Sequence, residues 1–237
     1  MKYEKVVKGK FIDRPNRFVA LVEVDGERVK AHVKNTGRCR ELLVPGAEVY
    51  LEDFADNMRN RKMRYSLVGV EKVREEGNLM INMDSQAPNK VVAESLALGT
   101  LKLPGMNKVI KIKPEKTYGE SRLDFYIEDC CGAEGYIEVK GVTLETDGIA
   151  SFPDAPTERG IKHIKELEGI VDEGKKAFVV FVIQMEGMKG FRPNDITHKA
   201  FGDALRCAAA KGVGVLAYEC KVTEDTLILA GRIPVQL

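Results

Sequence analysis

Two carboxylates and an ammonium lie close together in the middle of the chain. Asp124 sits in Leu123-Asp124-Phe125, and Glu138 and Lys140 sit in Ile137-Glu138-Val139-Lys140. If both segments are strands, side chains alternate with a period of two, so Glu138 and Lys140 share one face. Ile137, Val139 and Val142 are then expected on the opposite side. The same alternation sends Leu123, Phe125 and Ile127 inward and leaves Asp124 beside Arg122 and Tyr126 on a polar face. Two carboxylates suit a hard divalent cation, with the carbonyl of Val139 as a backbone ligand; Mg²⁺ fits best, and Mn²⁺ is the alternative. Such an ion lowers the barrier to bringing hydroxide to a phosphodiester. Lys140 is expected to orient or help deprotonate the attacking water and to stabilise negative charge developing on phosphorus.

Glu-x-Lys is short enough to occur by chance, and a wet strand face carries Glu, Lys, Asp and Arg for solubility alone. Its surroundings give it weight. A helix precedes both strands, another follows, and an apolar strand comes after that. An Asp followed on the next strand by Glu-x-Lys resembles the arrangement of the PD-(D/E)xK nucleases.

The elements that must position these groups can be read around them. Asn89 is expected to cap a helix through Leu98, stopped by Gly99, with Val91, Val92, Ser95, Leu96 and Leu98 as its buried stripe. Glu94 lies at the edge of that stripe. It is a candidate third acidic metal ligand or water partner, and equally a glutamate that faces solvent. Val109-Ile110-Lys111-Ile112 begins a sheet joined by the Asp124 and Glu138 strands. Thr157 can cap a helix running to about Asp172, and the apolar run Ala177–Ile183 reads as a strand covered on both faces. A helix near 200–210 and a strand near 214–218 extend the layer. Gln184, at the end of the apolar strand, is expected to satisfy backbone groups. Asp154, Glu158 and Arg159 flank the start of the Thr157 helix, whose amides could receive a phosphate with Arg159, Lys162 and His163 on the approach. Asp154 is equally a turn residue, and His163 reads as a partly buried surface histidine.

The first 80 or so residues have a different rhythm. Arg17–Val24, the turn Asp25-Gly26 and Arg28–Val33 form an expected hairpin. Runs at 47–52 and 64–70 continue the strand pattern, with one helical turn near Arg40-Glu41-Leu42-Leu43. Five short strands of this kind suit a small Greek-key barrel of the OB type. The pattern changes between Met83 and Pro88. The expectation is therefore two domains in an α/β protein, α+β overall: an OB-fold barrel over residues 1–83 and a restriction-endonuclease-like αβββαβ domain over residues 84–237.

Composition bounds the function classes. The 237 residues are 44% hydrophobic and 31% charged, ordinary for a globular protein, and no apolar run is long enough to span a bilayer. Met1-Lys2-Tyr3-Glu4-Lys5 lacks the apolar core of a signal peptide, so a cytoplasmic protein is expected. Five cysteines without C-x-x-C spacing suggest neither a disulfide framework nor a zinc site; Cys130 and Cys131 read as free thiols in a turn. Net charge is only +1, but residues 1–83 hold 17 Lys and Arg against 13 Asp and Glu. The excess is clustered at Lys34, Arg38 and Arg40 and at Arg59, Arg61, Lys62 and Arg64. Such clusters can neutralise phosphates, or form a merely solvated basic face.

Several blocks carry a resemblance that extends over essentially the whole chain. They are Phe11 with Arg17-Phe18, Asn35-Thr36-Gly37, Tyr118 to Phe125, Ile137 to Leu144, Phe152 to Gly160, and Leu216-Ala217-Tyr218. With these blocks the chain is similar to the sugar fermentation stimulation protein A (SfsA) family. The resemblance implies an N-terminal OB domain, a C-terminal PD-(D/E)xK nuclease-like domain, DNA binding and an association with sugar-utilisation genes. By position, the nuclease triad falls on Asp124, Glu138 and Lys140. Asn35 and Thr36 are candidates for phosphate contact, although Asn-Thr-Gly is also a good turn sequence.

Three functional classes follow. The first is a metal-dependent nuclease that grips DNA or RNA with the barrel through Asn35, Arg38, Arg40, Arg59, Arg61 and Arg64, with Arg159 near the cutting site. The second is a DNA-binding regulator without physiological cleavage. The third is an OB module for an oligosaccharide or protein partner, which leaves the second half of the chain without a role.

Overall fold

Asp25 and Gly26 both have positive φ, 52° and 81°, the backbone of a type I′ turn that matches the twist of the strands it joins. It closes the hairpin of β2 (Val19–Val24) and β3 (Glu27–Val33), and β2 also pairs with the long β1 (Val6–Asn16). The computed structural model describes residues 1–237 except Thr36, Arg38 and Glu76. β4 (Glu48–Asp53) pairs with β1 and with β5 (Tyr65–Lys72), and β5 closes the barrel by running parallel to β3. The circuit β1-β2-β3-β5-β4 is that of an OB barrel. β6 (Leu79–Asn82) adds to β5 outside it. Two register shifts in β1, around Asp13, let this strand bend around the barrel. Phe11, Val22, Val33, Leu51 and Leu67 fill the interior.

The sequence pattern started a strand at Arg17, but Arg17 and Phe18 form the turn between β1 and β2. The Asn16 side chain draws the chain round by accepting the Phe18 amide at 2.9 Å. The helical turn expected at Arg40–Leu43 is an isolated turn in which the Leu42 and Leu43 amides share the Cys39 carbonyl.

Beyond the barrel, α1 (Ala87–Leu98) is followed by β7 (Val109–Tyr118), β8 (Ser121–Asp129) and β9 (Glu134–Val142), an antiparallel meander. β10 (Leu144–Thr146) and β11 (Ile149–Phe152) lead into α2 (Glu158–Asp172). β12 (Lys176–Ile183), β13 (Gly190–Pro193), α3 (Asp195–Lys211), β14 (Gly214–Val222) and β15 (Leu227–Ile233) complete the chain. The main sheet runs β15-β14-β12-β9-β8-β7, with β9, β12 and β14 parallel; β10, β11 and β13 form a small second sheet. Among the described residues no helix is long and apolar enough to cross a membrane.

The apolar run in β12 is buried on both faces, as its composition requires. Phe178, Val180 and Val182 pack with Val91, Val92 and Leu96 of α1. Val179, Phe181 and Ile183 join Ile164 and Leu167 of α2, and that core continues into the barrel. Thr157 caps α2 as expected, its hydroxyl accepting the Gly160 amide at 3.0 Å. Three expectations need correction. Asn89 is not a cap but lies inside the first turn of α1, whose Gln86 amide is held by Asp84 Oδ1. Leu98 is 77% exposed because the helix ends there, past its buried stripe. Val142 belongs with the α2-side core rather than with Ile137 and Val139, because even-numbered residues of β9 point toward α2.

Candidate metal centre

β9 is central in the sheet, so both faces of its residues are covered and a charged group there must find partners. Glu138 and Lys140 point toward α2, on the side expected to be a polar face, but that side is roofed: Tyr126 is buried and packs edge-on against Tyr136. The Glu138 side chain is 3% exposed and that of Lys140 is 15% exposed.

The β8–β9 ladder pairs Phe125 with Ile137 and stops there, so Asp124 comes opposite Glu138 where the strands part. The Val139 amide, which would otherwise continue the ladder, donates to Asp124 Oδ2 at 2.7 Å, and Asn89 Nδ2 of α1 donates to Asp124 Oδ1 at 2.7 Å. The N-terminal turn of α1 comes this close because residue 141 is glycine. A β-carbon there would lie 2.5 Å from Gln184 Oε1 and 2.8 Å from Pro88 Cγ.

Glu138 Oε1 receives Lys140 Nζ at 2.5 Å and lies 2.5 Å from His163 Nδ1 of α2. Arg159 Nε donates to His163 Nε2 at 3.4 Å, which assigns the ring hydrogen to Nδ1 and makes the histidine a donor to Glu138. Glu138 Oε2 is buried and has no hydrogen-bond partner among the described residues. Burial alone would raise the Glu138 carboxyl, but the His163 hydrogen bond and the Lys140 charge overcome it and hold the pKa low. Asp124 goes the other way. Burial, and next the Glu138 charge, raise its pKa despite the opposing Val139 amide and Asn89 bonds.

The third expected ligand is not at this place. Glu94 is half-exposed, and its Oε2 pairs with the Met1 ammonium at 2.7 Å; Asn89 is the α1 residue that reaches Asp124. Among the described residues no cluster of three or more His, Cys, Asp or Glu could hold a metal. The pair Asp124 and Glu138 therefore offers two carboxylates, one with a buried oxygen lacking any donor, and the intervening backbone at Val139. That is a hard-oxygen donor set for a divalent cation.

His163 is the functional neighbour that sequence reading placed wrongly. It is 4% exposed and lies on the buried face of α2 with Ile164, Leu167 and Ile170. A histidine inside an apolar helical stripe needs a polar partner in the core, and that signal was available in the sequence. Gln184 does as expected, its Nε2 donating to the Asn82 and Asp84 carbonyls and to Asn82 Oδ1.

The expected nucleic-acid contacts divide. Arg40 and Arg59 are exposed, with no hydrogen bond or ion pair to the described residues. Arg61 lies over the Phe54 ring, 3.5 Å from its centre, and bonds Ser66 Oγ at 2.5 Å. Arg64 forms a two-pronged pair with Asp53, 2.7 Å on each arm. Asn35 Oδ1 accepts the Gly37 amide at 2.8 Å, the turn role of this sequence. Arg159 is exposed at the start of α2 and joins the site through His163. Arg38 and Thr36 lie outside the described residues. Asp154 stands against Gly37, and Asn35, Gly141, Thr143, Ser151 and Asp154 line a cleft of about 50 Å³ next to Lys140.

Comparison with known proteins agrees with this architecture. The family model described as "Sugar fermentation stimulation protein RE domain" matches residues 86–226, and the one described as "SfsA N-terminal OB domain" matches residues 12–80. The chain is 51% identical to a sugar fermentation stimulation protein homolog of Desulfitobacterium hafniense over 237 residues, covering 100% of this chain and 99% of the relative. It is also 51% identical to the homolog of Clostridium beijerinckii, with 100% of both chains covered. The solved structure described as Pyrococcus furiosus SfsA in complex with Ca²⁺ superimposes with a TM-score of 0.86 at 30% identity, covering 100% of this chain and 98% of that one.

Proposed function

Because the chain belongs to the sugar fermentation stimulation protein (SfsA) family, we propose that it binds DNA and hydrolyses phosphodiester bonds at a divalent-metal centre formed by Asp124, Glu138 and Lys140. Residues 1–83 grip the nucleic acid and residues 84–237 carry the chemistry. The observation that carries this reading is the buried Oε2 of Glu138, without a partner among the described residues, on the strand opposite Asp124. A carboxylate oxygen removed from water without a donor costs about 1–3 kcal/mol or more, and a cation is the partner that two adjacent acids call for. The Ca²⁺ described for the Pyrococcus furiosus relative supports a hard cation here.

Asp124 and Glu138, with the Val139 carbonyl, would hold Mg²⁺ or Mn²⁺. A bound ion of this kind polarises a phosphate oxygen and lowers the pKa of a coordinated water. The chain's own groups do the rest. Asn89 and the Val139 amide fix the Asp124 carboxylate, and His163 fixes Glu138 from the opposite side. Lys140 uses one ammonium hydrogen on Glu138, which leaves its others for a reacting phosphate or an attacking water.

Lys34 is held in ion pairs with Glu52 at 3.7 Å and Asp84 at 2.7 Å, so the grip on phosphates falls to exposed cations. Arg40 and Arg59 of the barrel and Lys90 beside Asn89 are exposed and supply a sequence-independent contact.

The test is incubation of the purified protein with labelled single-stranded, duplex and branched DNA, and with RNA, in Mg²⁺, Mn²⁺ or chelator. Metal-dependent cutting is expected, with Asp124→Ala reducing it to background while binding is retained. Cutting by Asp124→Ala at the wild-type rate ends the assignment. Salt-dependent binding without cleavage in any divalent metal favours a DNA-binding regulator instead.

A further inference from the structure

Phe18 is the only aromatic residue among the large exposed hydrophobics of the described residues, at 51%. Its backbone is firmly held. The Phe18 amide donates to Asn16 Oδ1 at 2.9 Å, its carbonyl accepts the Val33 amide at 2.9 Å, and Arg14 Nη2 holds the preceding Arg17 carbonyl at 2.8 Å. The ring is thus presented from a fixed turn, flanked by the exposed Arg17. A single exposed hydrophobic residue is ordinary in itself. The position of this one is not.

Phe18 is linked through strand pairing to a basic residue of the barrel, Arg61. Its neighbour Val19 pairs with His32, and His32 pairs with Ser66, the residue held by Arg61. On the other side, Arg14 bonds the Asn35 and Gly37 carbonyls, and that loop touches Asp154 at the cleft beside Lys140. Phe18 is therefore connected to the cleft beside Lys140 through Arg14, Asn35 and Gly37. The turn it occupies connects the first two barrel strands, one of the loops through which OB barrels contact oligonucleotides.

Resting on the nuclease reading above, we propose that Phe18 is a stacking platform for an unpaired base, and that the nucleic acid crossing the barrel toward the centre is single-stranded. An aromatic face stacks on any unpaired base, whereas the bases of a duplex are already stacked on one another. The recessed site points the same way. With the Glu138 side chain 3% exposed and that of Lys140 15% exposed, a flexible single strand can bring a phosphate inward where a stiff duplex cannot.

The sequence contains no tryptophan, so Phe18→Trp introduces a single indole as a reporter. The full chain is titrated in chelator, which blocks cutting, with oligo(dT), oligo(U) and a blunt DNA duplex. Indole emission should be quenched by oligo(dT) or oligo(U) and not by the duplex; which of the two quenches more strongly identifies DNA or RNA. Phe18→Ala should weaken single-strand binding by about 5- to 150-fold, with Phe18→Tyr restoring it and circular dichroism unchanged. Wild-type single-strand affinity in Phe18→Ala, or equal quenching by duplex, overturns the proposal while leaving the nuclease reading intact. Failure of the wild type to bind any of the three probes overturns both.

Discussion

His163 donates to one Glu138 oxygen and leaves the other open, so on the proposed reading it would act on the cation through a ligand rather than by touching it. Partners of this kind commonly account for 10- to 100-fold in metal affinity. His163→Ala is accordingly expected to weaken Ca²⁺ or Mn²⁺ binding by about that factor, read by calorimetry on protein shown to be folded. His163→Gln, which can offer an amide hydrogen to the same oxygen, should recover part of it. Unchanged affinity in His163→Ala would remove its positioning role. At this scale the sequence was informative where chemistry and spacing coincide. Asp124, Glu138 and Lys140 are adjacent on neighbouring strands because alternation along a strand is a local property. Of the two readings of Glu94 the solvent-facing one holds, and His163 was misjudged, because helix faces are set by what packs on them. The buried face of α1 turns Glu94 toward Met1, and α2 turns His163 onto β9.

Helix α2 carries His163 and Arg159, so its N-terminal turn bears on the site. Thr157 caps it through the Gly160 amide, and Thr157→Ala should cost about 1 kcal/mol, seen as a lowered Tm with the native circular dichroism spectrum kept. In the barrel the charged device is the Arg64 pair with Asp53. The Arg64 guanidinium is the main influence holding the Asp53 carboxyl down to about 2, against an ordinary value of about 3.9. A carboxyl depressed in the folded state contributes stability above its ordinary pKa, and that contribution is lost as the pH falls through the folded value. Asp53→Asn should therefore lower Tm near neutral pH. The gap from wild type should close between about pH 4 and about pH 2; a gap independent of pH would contradict the pairing. Elements with a strong local signal were legible: the Asp25-Gly26 hairpin, the Thr157 helix and the doubly buried β12. β6 and the small β10-β11-β13 sheet were not, being only three or four residues long, and β13 finds its partner β11 across a long stretch of sequence.

The whole molecule is tied together more closely than a chain of two modules requires. One hydrophobic core runs from Phe11, Val22 and Leu67 of the barrel to Ile164, Phe181 and Phe201 beyond it. A buried polar knot closes the junction. Gln184, following β12, donates its side-chain amide to Asn82 and Asp84, and its carbonyl accepts the Asn82 amide at 2.9 Å. Asp84, fully buried, accepts Lys34 at 2.7 Å from the barrel and the Gln86 amide at the start of α1. The same residues thus fix the barrel to the helix whose Asn89 orients Asp124. The sequence showed a change of rhythm at this junction but not this coupling, because contacts between distant segments leave no periodic mark. Two consequences follow from a shared core and a buried knot. Wild-type protein should unfold in a single transition seen alike by near-UV and far-UV circular dichroism. Asp84→Ala, which leaves the Lys34 ammonium only Glu52 at 3.7 Å and removes the acceptor of the Gln86 amide, should cost about 1–3 kcal/mol and weaken metal binding at a site it does not touch, because α1 loses its anchor. If Asp84→Ala instead lowers stability with metal affinity unchanged, the barrel and the metal centre are mechanically independent, and the grip of one does not set the geometry of the other.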